Sequence, residues 1–72
     1  MITETMLLVA LRQKNWSHAS EIALKLFETK KNLLMRNISH VAGIAETEPE
    51  AEYLLSLWSD IRWKEINKEE VI

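Results

Sequence analysis

At 72 residues the chain has the length of one domain, and a domain this small hides only about 60% of the surface its unfolded form exposes, so its own core is marginal. With no cysteine it has neither a disulfide framework nor a thiolate zinc site, which leaves efficient helix packing, self-association or a partner to supplement the core. The formal net charge of −2 conceals a division, because residues 1–40 hold six Lys or Arg against three acids whereas residues 41–72 hold three against eight. Antiparallel helices from the two halves would attract each other weakly; a basic face for nucleic acid is the sharper alternative, but it lacks the clustered basic stripe of strong binders.

One glycine and one proline among abundant Leu, Ala, Glu and Lys predict an all-α protein. No stretch approaches the roughly 18 consecutive apolar residues of a membrane span, so a soluble protein with no membrane contact is expected. The apolar run Met6–Leu11 has no basic residue before it and no small-residue cleavage site after it, which does not suit a secretory leader; the cytoplasm is the expected location.

The first helix is predicted over about residues 3–14. Thr3 can cap it, Glu4 suits its positive pole, and Arg12 and Lys14 suit its negative one. Met6, Leu7, Ala10 and Leu11 form the expected inward face, with Leu8 and Val9 on a second flank. Such a helix lies between two neighbours or reserves a flank for another chain. Asn15 suits a left-handed exit and Ser17 the cap of the next helix, which is predicted to run continuously over 17–42. Ala19, Ile22, Ala23, Leu26 and Phe27, followed by Leu33, Leu34, Ile38 and Val41, make its apolar stripe.

The polar segment "ETKKN", residues 28–32, interrupts that stripe. With no Gly or Pro in it, continuity is favoured over a turn between two short helices. Gly43 is expected just past the helix end, with Ile44 as the accompanying apolar contact. In "TEPE", residues 47–50, Thr47 reads as cap, Glu50 as the second half of a capping box and Pro49 as a first-turn residue. The last helix is predicted over 48–66, with Ala51, Leu54, Leu55, Leu57, Trp58 and Ile61 inward, and 67–72 as a frayed tail. The expected architecture is a small three-helix domain whose long central helix forms an antiparallel helical hairpin.

The stretch "ALRQKNWSHASEIALKLFE", residues 10–28, resembles one helix-turn-helix unit of the tetratricopeptide repeat class. Asn15 and Trp16 occupy the turn, and Ala19, Ala23 and Leu26 follow at the matching intervals. The resemblance implies two closely approaching helices with Trp16 over the turn and a protein-binding role. Leu7 and Ala10 depart from the family's preferred sizes, no proline closes the unit, and solenoids need three or more units where one is visible. The same turn also resembles that of the PerC and ANR classes of small enterobacterial regulators. Their later Arg-rich segment and cysteine are missing here.

A DNA-reading helix-turn-helix would use residues 30–40, presenting Lys30, Lys31, Asn32, Arg36, Asn37 and His40 to phosphates and bases. The same residues also suit a solvated helix face. Catalysis finds little support. His18 and His40 stand 22 residues apart with no third ligand at metal-site spacing, the glutamates are scattered, and no phosphate loop or nucleophile motif is present. No metal, cofactor or small-molecule substrate is expected.

Trp63 lies five positions after Trp58, about 140° around the helix axis and away from the expected core stripe. With Arg62 beside it and Ile66 nearby it has the composition of a binding hot spot, unless it packs across the first helix. The expected function is that of a non-catalytic interaction module, of the adaptor, chaperone-like, inhibitor or regulatory kind. It would bind another protein or itself through Leu8, Val9, Leu24, Met35, Arg62, Trp63 and Ile66.

Overall fold

The computed structural model describes the backbone of residues 2–70 and the side chains of residues 2–66. Among these the chain forms four helices and no strand: α1 (Glu4–Arg12), α2 (Trp16–Lys30), α3 (Leu33–Ile44) and α4 (Pro49–Glu70). The all-α expectation holds, but the count of three does not, because the long central helix is two helices. α4 also continues to Glu70 rather than ending at residue 66. Of the expected frayed tail, Val71 and Ile72 lie outside the described residues.

The break is made by backbone geometry rather than by Gly or Pro. Lys31 adopts the left-handed conformation at φ 55°, and its amide donates to the Phe27 carbonyl at 2.7 Å, closing α2 with a single-bond left-handed cap. Asn32 then caps α3, its side chain accepting from the Leu34 amide at 2.9 Å. An identical residue pair makes the preceding turn. Lys14 has φ 58°, its amide donates to the Leu11 carbonyl and that of Asn15 to the Ala10 carbonyl, the two bonds of a Schellman closure. Asn15 caps α2 by accepting from the His18 amide. Left-handed geometry thus falls on Lys14 instead of Asn15, and the cap on Asn15 instead of Ser17.

Two other helix ends also differ from expectation. Gly43 lies inside α3, with no positive φ, and the helix unwinds after Ile44 through bonds from Ala45 to Ala42 and from Thr47 and Glu48 to Ile44. Ile44 is exposed rather than folded back on a cap. The Thr47 hydroxyl donates to the Ile44 carbonyl at 3.3 Å, so it serves the end of α3 and leaves the Glu48 carbonyl to receive the first amides of α4. Pro49 stands first in α4, where its missing amide has no bond to lose.

The helices form a ring in which each packs against two others: α1 against α2 and α4, and α3 against α2 and α4. Of the two alternatives for α1, it lies between two neighbours. Leu7 and Leu8 are fully buried together with Ala10 and Leu11, while Met6, expected inward, is exposed. The core continues through Trp16, Ala19, Ile22, Ala23 and Leu26 of α2 and Met35, Ile38 and Ala42 of α3. Burying each large apolar side chain contributes about 1.5–3 kcal/mol, offset by the entropy of ordering it.

The α2–α3 hairpin is drawn together by small residues. Ser20 and Ser39 each donate a hydroxyl to the other's carbonyl at 2.9 Å, and the site of a Cβ on Gly43 lies 3.9 Å from the Ser20 hydroxyl. Contacts therefore run from Phe27 and Arg36 beside the turn to Ser20 and Gly43 at the far end, so the two helices are antiparallel. The break resets the helical phase. Leu33 and Leu34, expected in the stripe, face outward, and Met35, Ile38 and Ala42 take the inner face.

Candidate interaction surface

The surface follows from how α4 is seated. α1 and α3 cover one side of it, and what they cover is narrow: Ala51 is 5% exposed, Leu55 3% and Ser59 2%. At about 100° per residue, positions 51, 55, 59, 62 and 66 share one face. Small side chains at two of these positions let the neighbouring helices approach closely. Ser59 satisfies its buried hydroxyl inside the helix by donating to the Ser56 carbonyl at 3.0 Å, so its burial leaves no polar group unpaired.

Of the residues expected inward, Ala51 and Leu55 are buried as expected, whereas most of the other apolar ones lie elsewhere. Leu54 is 58% exposed, Leu57 48% and Ile61 52%, with Tyr53 at 67% beside them. Trp58, also expected inward, reaches the core as a half-buried side chain. Leu54 also lines a depression of about 340 Å³ with Val41 and Ile44 of α3, so the exposed stripe extends onto the neighbouring helix. α4 is consequently apolar on two faces and has one of them covered.

Rotating the core stripe moves the tryptophan as well. Trp63 follows Ser59 by four positions and packs on the core flank, where the Arg12 guanidinium of α1 lies 5.0 Å from its ring centroid. Arg62 grips both oxygens of Glu4 through its Nε and Nη2, and its Nη1 donates to Glu65 at 2.8 Å. The Glu4 hydrogen bond first, and Glu65 second, hold the guanidinium above its already high ordinary range, so it is charged at every working pH. The pair is partly exposed, which limits its worth to the order of 1 kcal/mol. Lys14 and Glu52 form a more exposed bridge at 3.1 Å.

The residues expected to touch a partner therefore divide. Leu8 and Met35 are core side chains, placed there by α2 and α4 flanking α1 and by the phase change at Asn32. Arg62, Trp63 and Ile66 are partly covered and join α4 to the rest of the protein. Val9 and Leu24 are exposed, and Val9 borders a groove of about 280 Å³ between α1 and α2 with Met6, Gln13, His18 and Ile22. Tyr53 has no place in the expected inward stripe. Its grouping with Leu54, Leu57 and Ile61 becomes legible once Ala51, Leu55 and Ser59 are recognised as the close-contact face.

Lys30, Lys31, Asn32, Arg36, Asn37 and His40 are all exposed. Lys31 and Asn32 are engaged in the turn, and the Arg36 guanidinium lies 6.0 Å from the Phe27 ring centroid. Among the described residues no helix is long and apolar enough to cross a membrane, and no group of three His, Asp or Glu is placed to hold a metal ion. The chain matches no family model, no curated protein and no solved structure.

Proposed function

We propose that this chain is a small non-catalytic interaction protein, an accessory or regulatory factor that acts by holding a second polypeptide against the outer face of α4. The observation that carries this reading is the exposed group Tyr53, Leu54, Leu57 and Ile61, continued by Ile44, on a helix whose other face is already packed. Single exposed leucines are ordinary on protein surfaces; a contiguous patch beside an already filled core is the mark of an interaction site. Leu54, Leu57 and Ile61 recur at the three-and-four spacing by which one helix meets another.

The test is retention of a binding polypeptide, whether another copy or a different chain, by the wild type and by Ile61→Gln. The substitution removes apolar surface from the outer face alone, so helical content should be unchanged and retention lost. Equal retention by both proteins, or none by either, overturns the proposal.

A second reading, a DNA-binding regulator using residues 30–40, draws on the turn at Lys31 and Asn32, which gives α2 and α3 helix-turn-helix connectivity with Lys30, Arg36, Asn37 and His40 exposed. The antiparallel course of the two helices differs from the roughly 90–120° crossing of DNA-reading pairs, which favours the first reading. Binding to duplex DNA that falls steeply with salt and is lost in Arg36→Ala would reverse that preference.

A further inference from the structure

We infer that the polypeptide seated on the outer face of α4 is a second copy of this chain, with the two α4 helices packed antiparallel about a two-fold axis near Leu57. The inference rests on the interaction reading above and names its partner.

The outer face of α4 is self-complementary. An interface between identical copies related by a two-fold axis uses one patch twice, so that patch must fit itself when turned end for end. The seam Leu54, Leu57, Ile61 has Glu50 four residues before it and Lys64 three residues after it, on the same side of the helix and both exposed. An antiparallel copy sets Leu57 against Leu57 at the axis and Glu50 of each chain beside Lys64 of the other. Tyr53 then comes next to Ile61 and Asp60 of the second copy, where its ring covers the isoleucine and its phenol can donate to the carboxylate. Glu65 is already paired with Arg62 of its own chain.

A parallel pairing would set Glu50 against Glu50 and Lys64 against Lys64, repelling at both ends. The charges therefore select the antiparallel arrangement. Over Glu50 to Lys64 the seam is about 21 Å long. This is short of a standard interface, which hides about 800 Å² on each partner, so the dimer should form reversibly at micromolar concentration.

Sedimentation equilibrium over a micromolar concentration series, with helicity checked by circular dichroism, tests the inference. The wild type should be a concentration-dependent dimer and Leu57→Glu a helical monomer. Glu50→Lys and Lys64→Glu should each weaken association roughly tenfold, because two contacts are reversed at once. The double variant Glu50→Lys/Lys64→Glu should recover it. The charge variants carry the test if Leu57→Glu loses helicity. A wild type monomeric throughout, a dimer indifferent to Leu57 in a folded variant, or a double variant no better than the singles overturns the inference. If the wild type is monomeric yet retains a different polypeptide in a manner sensitive to Ile61→Gln, the broader interaction reading survives; if nothing is retained, both fail.

Discussion

The two faces of α4 carry opposite solutions to the same packing problem. The inner face presents Ala51, Leu55 and Ser59 to neighbours that close over it, with Arg62 and Trp63 reaching sideways to Glu4 and Arg12 of α1. The outer face presents Tyr53, Leu54, Leu57 and Ile61, which are larger and more apolar, to solvent. If apolar bulk alone decided burial, the faces would be exchanged. The inner face is favoured because small residues let helix backbones approach, and because the ion pair and the cation–aromatic contact can form only in that rotation. The bulk left outside is what a second polypeptide can cover.

Substitutions on and around the two faces should differ in cost. Leu55→Ala should be the most damaging, losing about 2–5 kcal/mol through the removed side chain and the cavity left behind, measured by chemical denaturation. Ser59→Leu enlarges the face that depends on smallness, and overpacking should cost about 1–3 kcal/mol in the same assay. Arg62→Ala should cost about 1 kcal/mol or less, an effect that shrinks as salt is raised. Gly43→Ala should act in the opposite direction, raising stability by about 0.5–1 kcal/mol, because the position is helical and a Cβ there meets only ordinary contact with Ser20. Smallest of all, Leu54→Gln should change the unfolding free energy of the isolated chain by no more than about 0.5 kcal/mol. A loss near that of Leu55→Ala would erase the distinction between the faces.

Much of the helical content was legible in the sequence, because capping chemistry is local. Thr3 accepts from the Met6 amide as its position implies, and Ala19, Ile22, Ala23 and Leu26 are buried as their spacing implies. The break at Lys31 and Asn32 escaped because it carries no Gly or Pro, yet the signal was present in the repeated pair: Lys14–Asn15 and Lys31–Asn32 both put lysine left-handed and use asparagine as the next cap. The missed break changed which residues at the start of α3 face the core, while Ile38 is buried as expected. Leu33 and Leu34 moved out, and Met35 moved in.

The surface was less legible for a different reason. Periodicity identifies apolar stripes on a helix but does not rank two stripes on the same helix, and α4 has two. The expected stripe drew on both; of it the fold buries Ala51 and Leu55, half-buries Trp58, adds Ser59 and leaves Leu54, Leu57 and Ile61 outside. The long-range pairing of Glu4 with Arg62, 58 positions apart, is a tertiary fact that no local pattern announces. Trp63 packs across α1, the alternative the sequence left open, whereas placing Arg62 and Ile66 on an open surface followed from counting Leu54, Leu57 and Ile61 as core.

A second polypeptide seated on the outer face of α4 lies within reach of Tyr53. Photo-cross-linking from an unnatural side chain placed at Tyr53, compared with one at the exposed Lys25 of α2, tests this placement most directly. An intermolecular product should form from position 53 and disappear when Ile61→Gln is added, with little or none from position 25. Equal products from the two positions, or none from position 53 at concentrations where the wild type binds its partner, would contradict it.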